Sequence, residues 1–279
     1  THSDYGQIIS NMGSEELAVT LGHSLGGGAS WDVMQLNSVQ RDSKTRDAAL
    51  LQRRGGIAVY ETPTVYAWGI TLNDNWESYY GGLDKGLRND TGRQLRRLAG
   101  HGDLELVPIS GGAVQENLEL FFSMHTERWA GIDKAPLFSQ EGNREFFRKL
   151  TRTFDHKGYL DFRKLMIGDR ILAMHLGYRY RNRFYYNLPA FNTEYQKYSV
   201  GRILTLELIK SAYAEGFEYF DFMAGDEAYK GDFANHSVPL YRMYLMNHNV
   251  RGQLYRLMKF GMMPLWSQAV NRIRLRKQG

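Results

Sequence analysis

The sequence contains no cysteine and no long apolar run. Without cysteine, its 279 residues can form no disulfide, no thiolate-ligated metal site and no cysteine nucleophile. No segment approaches the ~20 apolar residues that a membrane-spanning helix needs. With 43% hydrophobic and 23% charged residues, the composition excludes a disordered chain and predicts a globular protein with a buried core. The absence of cysteine fits a reducing compartment, and we expect a cytoplasmic location.

The basic charge is concentrated near the C-terminus. Seven of the 35 Lys and Arg residues follow residue 250, where no Asp or Glu occurs, so the first 250 residues carry 28 basic and 30 acidic residues. This balance indicates no broad basic surface, and DNA is not an expected partner. In residues 251–276, apolar residues such as Leu254 and Trp266 alternate with positive charges, which is typical of segments lying on anionic membranes. The alternative is a terminal helix packed against the domain.

Hydrophobic periodicity predicts an α/β (α+β) protein with a mostly antiparallel sheet flanked by helices. From residue 104 to 246 the predicted order is β-α-α-β-β-β-α-β-α-β. Upstream, the pattern predicts helices over 14–25, 42–54 and 84–99, and strands over 31–39, 57–60 and 65–70. Residues 191–199 are predicted to be a polar loop. His125 and His175 lie in apolar patterns and are predicted to be core histidines, and no spacing of His, Asp or Glu resembles a metal site.

The segment G-H-S-L-G at 22–26 matches G-x-S-x-G, the nucleophile elbow of α/β-hydrolases, with Ser24 as the nucleophile. That elbow needs a strand before the serine and a helix after it. Here the preceding residues have a helical pattern, and a triple glycine and then a strand follow. A serine hydrolase using Ser24 is therefore one hypothesis, and the C-terminal end of a helix is the other.

A second motif, Y-S-V-G-R at 198–202, lies between an apolar strand and a long amphipathic helix. The N-terminus of a helix offers unpaired N–H groups and about half a positive charge, which together favour a phosphate group. The motif therefore predicts a phosphate-binding turn, with an ordinary helix cap as the alternative. The four residues that would form this turn are Ser199, Val200, Gly201 and Arg202.

A third motif, F-D-F-M-A-G-D-E-A-Y-K at 220–230, gathers acids and a lysine where an apolar strand ends. Strand ends of this kind often carry the chemistry of α/β folds. The alternative is that Asp226 caps the next helix.

These motifs carry a resemblance to a known family. The hairpin L-M-I-G-D-R-I-L-A-M at 165–174, Y-S-V-G-R-I-L at 198–204 and the run at 220–230 resemble the acetyltransferase domain of cellulose-biosynthesis-associated (CelD-type) proteins. These belong to the GNAT superfamily and are akin to FemAB-type aminoacyl transferases. W-E-S-Y-Y at 76–80 and the basic helix after it resemble the segment that precedes that domain.

The resemblance implies three regions and an incomplete first one. Residues 1–100 would be a partial N-terminal GNAT-like half with a basic connecting helix. Residues 101–250 would be the GNAT acyltransferase domain, and 251–279 a basic amphipathic segment. The chain, which starts at Thr1, is then expected to begin inside the first half.

The resemblance also implies acyl transfer from acetyl-CoA or another acyl-CoA, with no tightly bound cofactor. The acceptor would be an amine or hydroxyl, such as a glycan precursor in cell-envelope or exopolysaccharide metabolism, with the enzyme cytoplasmic at the inner membrane face. The alternatives are a FemAB-like aminoacyl-tRNA-dependent transferase, the Ser24 hydrolase and a non-catalytic GNAT-like binding protein.

Particular residues take roles through this resemblance. The pantetheine arm of the donor would pair with the strand through Tyr186, Asn187 and Leu188, and its pyrophosphate would lie on Ser199 to Arg202. The usual Q/R-x-x-G-x-G/A loop is incomplete here, since only Gly201 matches a glycine of that motif. An alkylamine with a pKa of about 10.4 is mostly protonated at pH 7, so a base is needed. The candidates for the base are Asp221, Asp226 and Glu227, with Asp226 preferred. Tyr229 would be the acid for the thiolate, and Lys230 an anion partner.

Overall fold

The structure is a computed structural model that describes residues 4–26, 31–128 and 135–262. The helices of this part are α1 Ser14–Gly26, α2 Lys44–Leu51, α3 Trp76–Gly82, α4 Lys85–Ala99, α5 Ala113–Arg128, α6 Glu141–His156, α7 Val200–Ala214, α8 Ala228–Phe233 and α9 Val250–Arg256. Its strands are β1 Val33–Gln40, β2 Ala58–Thr71, β3 Leu104–Pro108, β4 Leu160–Ile167, β5 Arg170–Tyr180, β6 Arg183–Phe191, β7 Tyr219–Ala224 and β8 His236–Met246. The described residues form two compact units, one within 1–67 and 238–279 and the other within 68–237.

The first unit pairs β1 with β8 in antiparallel register, Val33 lying opposite Met246. Helices α1 and α2 pack together, and Ser43 begins α2 by accepting a hydrogen bond from the amide of Arg46. Apolar residues of α1 and α2 share one core with residues of the strands, including Leu21, Val39, Ala49, Val59 and Leu245. Burial of this core holds the helices against the strands.

The second unit contains a sheet with strand order β3-β4-β5-β6-β7. The first three pairings are antiparallel and joined by short connections, whereas β6 and β7 are parallel. A parallel pair needs a crossover, and α7 supplies it between these two strands. Gly216, with φ of 76°, follows the end of α7 in the left-handed conformation that favours glycine.

Helices cover both faces of this sheet. Successive residues of β5 point to opposite faces, so Ala173 packs in the core that includes residues of α4 and α7, and Met174 packs in the core of α5 and α6. The second core is rich in aromatic side chains, with Phe121, Phe122 and Phe138 all fully buried. This layered packing positions the N-terminus of α7 beside the end of β6.

The predicted α/β fold with a mostly antiparallel sheet is confirmed, but some element boundaries were wrong. Segments 57–60 and 65–70, predicted as two strands, belong to the single strand β2 of 14 residues. Pro63 and Thr64 between them are exposed, and the fixed φ of proline fits an extended backbone. The predicted loop 191–199 contains a 3₁₀ turn over Thr193–Tyr198. Helix α3, capped by Asn75, was not predicted from periodicity.

The three predicted regions, 1–100, 101–250 and 251–279, stay a prediction. Most of the basic tail, including Arg272–Lys277, lies outside the described residues. None of the helices in the described ranges is long and apolar enough to cross a membrane.

Candidate active site

Strands β6 and β7 diverge at the centre of the second unit. Their parallel pairing extends from Arg183 and Tyr219 to Tyr185 and Asp221, although β6 itself continues to Phe191. Beyond Tyr185, the edge of β6 that faces β7 is therefore not paired in this part of the structure. An open backbone edge of this kind accepts an extended ligand.

The divergence has a local cause in β7. The carboxylate of Asp221 accepts a hydrogen bond from the amide of Met223 at 2.7 Å. Met223 has φ of 61°, a left-handed conformation that is uncommon outside glycine. Asp221 is buried, with 3% of its surface exposed, and this bond holds the turn of its own strand. The predicted role of Asp221 as a base stays a prediction.

Strand β6 contains a bulge where it diverges from β7. Leu176 pairs with Leu188 and Tyr178 with Tyr185.

The two pairs that flank this bulge leave Tyr186 and Asn187 opposite the single residue Gly177, which is the two-against-one arrangement of a β-bulge. The amide of Asn187 donates to Nε2 of His175 at 3.3 Å. His175 is fully buried, as its apolar pattern predicted, and burial lowers its pKa to about 3. The imidazole is neutral at physiological pH and can accept this bond.

The predicted phosphate-binding turn borders a cavity of about 420 Å³. Ser199 has φ of 53° and ends the 3₁₀ turn, and Val200 begins the 15-residue helix α7. The lining of this cavity, which we call the outer cavity, includes all four residues predicted for the turn. It consists of Arg128, Phe191, Asn192, Thr193, Gln196, Ser199, Val200, Gly201 and Arg202.

A second, more apolar cavity of about 170 Å³ adjoins the first. This inner cavity shares four lining residues with the outer one, Arg128, Phe191, Gly201 and Arg202. Its other lining residues are Tyr186, Pro189, Thr205 and Tyr229. The two cavities therefore bring the predicted donor residue Tyr186 and the predicted acid Tyr229 together with the α7 turn. Asn187 and Leu188 lie on β6 but line neither cavity.

A chain of hydroxyl groups joins the two cavities. Thr205 Oγ1 donates to the carbonyl of Gly201 at 2.9 Å, so the hydroxyl of Tyr186, 3.4 Å from Thr205, is the donor in that pair. Tyr229 is hydrogen-bonded to Tyr186 in turn. Burial raises the pKa of Tyr229 far above its usual range, and the charge of Glu227 raises it further. Both tyrosines are therefore neutral hydroxyls at physiological pH.

Arg128 is a residue of the site that sequence reasoning missed. It ends α5, and its guanidinium lies 4.1 Å from the centroid of the Phe191 ring. Burial lowers its pKa, although an arginine stays charged at neutral pH. Its sequence position, about 60 residues before Phe191, carries no motif, so only the folded chain brings this positive charge to both cavities. Phe191, Gln196 and Thr205 were likewise not predicted as site residues.

The segment after β7 holds the remaining predicted residues. Lys230 is buried, and its ammonium donates to the carbonyl of Ala224 at 3.1 Å and pairs with Glu227 at 2.9 Å. Asp226 is exposed and lies outside both cavities. Helix α8 begins after Glu227, so Asp226 is not its N-cap residue. The catalytic roles of Asp226 and Lys230 stay predictions.

Ser24 lies inside helix α1, where its hydroxyl donates to the carbonyl of Thr20 at 2.9 Å. The residues before it are helical, whereas a nucleophile elbow requires a strand there. The hydroxyl thus makes the ordinary bond of a serine within a helix, back to the preceding turn.

Comparison with known families decides what kind of site this is. Residues 85–231, just over half of the chain, match the family described as the acetyltransferase (GNAT) domain. The chain belongs to this GNAT family. Its second unit therefore carries an acyltransferase domain, and a GNAT domain implies an acyl-CoA donor and an acceptor substrate. The matched range includes the α7 turn, both cavities and α8.

Solved structures share the fold of this GNAT protein. FemX superposes with a TM-score of 0.65 at 11% identity, covering 91% of this chain and 81% of FemX. A conserved protein of unknown function from Bacteroides thetaiotaomicron gives 0.57 at 15% identity, covering 82% and 74% of the two chains. The C-terminal domain of an Agrobacterium fabrum protein assigned as a lysylphosphatidylglycerol synthetase gives 0.53 at 13%, covering 84% and 73%. No curated protein sequence matches the GNAT protein significantly.

Proposed function

We propose that this GNAT protein transfers an acyl group from acyl-CoA to an amine or hydroxyl of a cell-envelope or exopolysaccharide precursor. The observation that carries the proposal is the pair of adjoining cavities. The outer one opens on the N-terminus of α7, and the inner one reaches Tyr229 beside the diverging strands. A donor with a phosphate at one end and a reactive thioester at the other matches these two cavities. Its phosphate would lie in the outer cavity and its thioester in the inner one.

The outer cavity suits the pyrophosphate of the donor. Amide groups at the start of α7 and the helix dipole favour an anion there. Arg128 and Arg202 add two positive charges to the same lining. The side chain of Arg202 is 44% exposed and its Nη1 and Nη2 atoms lie 3.6 Å from Asp90 and 3.8 Å from Asp232, distances that allow it to turn towards a phosphate.

The pantetheine arm would then run along the open edge of β6. Its amide groups can pair with the backbone beyond Tyr185, as an added strand does. The bulge at Tyr186 and Asn187 interrupts the ladder with β5 next to this edge, and the amide of Asn187 is already bonded to His175 there. The thioester would reach the inner cavity, where the apolar lining excludes water from the reacting carbonyl.

The chemistry is a direct displacement at the thioester. The acceptor nitrogen or oxygen attacks the carbonyl carbon, its bond to that carbon forms, and the C–S bond breaks. A carboxylate takes the proton of the attacking atom, and the departing thiolate receives a proton from Tyr229. The hydroxyl of Tyr186 then turns from Thr205 to donate to the Tyr229 oxygen, and this bond stabilises the oxygen until it is protonated again from solvent.

Two carboxylates compete for the role of base. Asp226 is the sequence-based choice, but Glu227 has the charge that acts on Tyr186 and Tyr229. A comparison of Asp226→Asn with Glu227→Gln assigns the role. The variant that lacks the base should lose about 10²-fold or more in kcat while acyl-CoA affinity is kept. Loss of affinity with unchanged kcat in both variants would contradict a base on this segment.

The proposed location at an anionic membrane rests on α9 and the π-helical turn after it. Val250, Leu254, Leu257 and Met258 recur at helical spacing, and more than half of each is exposed. Arg251, Arg256 and Lys259 flank this stripe. An exposed apolar stripe with basic flanks is typical of helices that lie in a membrane interface. The CelD-type resemblance is the argument for an envelope acceptor.

Calorimetric titration with CoA, acetyl-CoA and longer acyl-CoAs tests the donor. We expect saturable binding of CoA and acyl-CoA. In a second experiment, a transfer screen with radiolabelled acyl-CoA, we expect the labelled acyl group to appear on amino sugars or other envelope precursors. Absence of binding for every CoA species would overturn the proposal. Labelling of Ser24 by a fluorophosphonate, lost in Ser24→Ala, would favour the hydrolase instead.

A further inference from the structure

A basic groove lies along helix α4, outside the two cavities. It has a volume of about 620 Å³ and borders the outward face of the helix. The opposite face of α4 packs into the domain through Leu87, Thr91, Gln94 and Leu98. The groove is lined by Tyr80, Gly86, Arg88, Asn89, Asp90, Gly92, Arg93 and Arg96.

The groove contains positive charge that the described residues do not neutralise. Arg93 pairs with Asp90 at 2.5 Å, but Arg88 and Arg96 form no ion pair with any residue of the described ranges. Arg88 is oriented by a hydrogen bond from its Nε to the carbonyl of Leu83 at 3.1 Å, which leaves its terminal nitrogens for another partner. Two such guanidinium groups, two turns apart on one helix, suit a doubly charged phosphate.

Glycine keeps this groove open. Gly86 and Gly92 are both in the helix, where glycine is less favourable than alanine. A Cβ on Gly92 would lie 3.5 Å from Nη1 of Arg96, in ordinary contact with the guanidinium. An alanine there is sterically allowed but would fill the space in front of Arg96. The open helix surface therefore exposes Arg96 to a ligand.

One carboxylate links this groove to the donor cavities. Asp90 lines the groove and pairs with Arg93 there, and its Oδ2 lies 3.6 Å from Nη1 of Arg202. Arg202 in turn lines both cavities. The side chain of Asp90 therefore lies between the α4 groove and Arg202, where the donor's pyrophosphate is proposed to bind.

We propose that the α4 groove binds the 3′-phosphate of CoA through Arg96 and Arg88. The inference rests on the proposed acyl-CoA donor. It adds a site for the donor's 3′-phosphate to the pyrophosphate site in the outer cavity. A phosphate monoester carries close to two negative charges at neutral pH and accepts bidentate bonds from arginine. The groove thus selects CoA over a nucleotide thioester that lacks this phosphate.

The experiment compares the Kd of CoA with that of 3′-dephospho-CoA by calorimetry. The wild-type protein should bind CoA about tenfold more tightly, the effect of a charge-assisted phosphate contact. Arg96→Gln should bring the two Kd values close together by weakening CoA alone, and Arg96→Lys should recover part of the difference. Arg152→Gln, an equal charge change at an exposed position of α6, serves as the matched control and should keep the full ratio.

Three results would overturn the inference. Equal Kd values for CoA and 3′-dephospho-CoA in the wild type would remove the phosphate site and leave the donor proposal intact. Failure of both compounds to bind would remove the donor proposal as well. Equal Kd values together with binding of a short RNA hairpin that Arg96→Gln abolishes would assign the groove to an RNA.

Discussion

The hydroxyl of Tyr186 lies 3.4 Å from Oγ1 of Thr205, which itself donates to the carbonyl of Gly201. Together, this contact and the bond to Gly201 join the bulge of β6 to the first turn of α7. The two structural elements proposed to hold the donor, the open strand edge and the helix N-terminus, are therefore fixed relative to one another by side chains that also lead to Tyr229. A displacement of either element is therefore expected to move the reacting thioester relative to Tyr229.

Tyr229→Phe should lower kcat by about a hundredfold or more, because the leaving thiolate loses its proton donor. The affinity for CoA should change little, since the ring is kept and only the hydroxyl is removed. The measurement is transfer kinetics with the acceptor found in the screen. Tyr180→Phe, at an exposed tyrosine outside both cavities, is the control. A Tyr229→Phe enzyme with wild-type kcat would show that another group or water protonates the thiolate.

Substitutions of Gly201 separate shape from charge at the phosphate turn. A Cβ at this position would lie 2.8 Å from Cζ of Phe191, so Gly201→Ala must displace the ring that packs against Arg128. We expect about tenfold weaker CoA binding from this overpacking. Gly201→Asp adds repulsion of the pyrophosphate and should weaken binding by at least about a hundredfold.

Gly142 on α6 provides the matched control, because no atom lies within 4 Å of a Cβ added there. Gly142→Ala and Gly142→Asp should leave the calorimetric Kd of CoA unchanged. If folded Gly201→Asp bound CoA as tightly as the wild type, the pyrophosphate would have to lie elsewhere.

Acid should destabilise the fold through two buried histidines. Burial lowers the pKa of His125 to about 4 and that of His175 to about 3. An unfolded histidine titrates near pH 6.5, so below that pH the unfolded state binds protons that the native state does not. Each histidine should therefore cost about 2 kcal/mol of stability between about pH 7.5 and pH 5.

Urea unfolding of His125→Phe at the two pH values checks this prediction. The ring of His125 packs against Phe121 and Phe138, so phenylalanine suits the site. The pH-dependent loss should shrink by about 2 kcal/mol, whereas exposed His156→Gln should leave it unchanged. An undiminished loss in His125→Phe would assign the acid sensitivity to other groups.

Asp161 is a buried carboxylate whose loss should be costly. Its Oδ2 lies 2.7 Å from Nη2 of Arg163, which is also buried. Burial alone would raise the pKa of Asp161, but hydrogen bonds from Arg163 and the charges of Arg163 and Arg179 hold it below its usual range. Asp161→Asn should lower the free energy of unfolding by about 3 kcal/mol, near the lower end for a broken buried pair because Glu215 still pairs with Arg163.

Denaturant unfolding at neutral pH measures this loss, with exposed Asp169→Asn expected to change stability by less than ~0.5 kcal/mol. Since the native pKa of Asp161 is lowered, its contribution is complete above about pH 4 and disappears as the pH falls through the native value. The difference between wild type and Asp161→Asn should narrow in that acidic range. A constant difference would mean that the charge of Asp161 does not stabilise the fold.

The exposed stripe on α9 should bind anionic vesicles. Leu254→Glu combined with Leu257→Glu places two negative charges on this stripe and should abolish flotation with anionic vesicles at low salt. Val19→Glu, at an exposed apolar position of α1, should have no effect. Wild-type binding should decrease with added salt and be absent with neutral lipid. Wild-type protein that fails to float at low salt would remove the membrane from the proposal.

The secondary structure was largely predictable because its signals are local. Strand alternation, helical spacing and turn residues such as Gly216 gave the element order from residue 104 to 246. Prediction failed where the local signal was ambiguous. Pro63 suggested a break in what is one strand, and α3 has only seven residues, too few for a periodic pattern.

The sequence by itself determined the fold class and the turn from Ser199 to Arg202. A small-residue turn between an apolar strand and an amphipathic helix depends on residues that are adjacent in the sequence, so the sequence alone can show it. Only the tertiary structure decided which side chains share the site with this turn. Arg128 reaches it from another helix, and Tyr229 meets Tyr186 because the Asp221 turn diverts β7 from β6. These contacts join residues that are distant along the chain, so they depend on packing across the sheet and not on any local pattern.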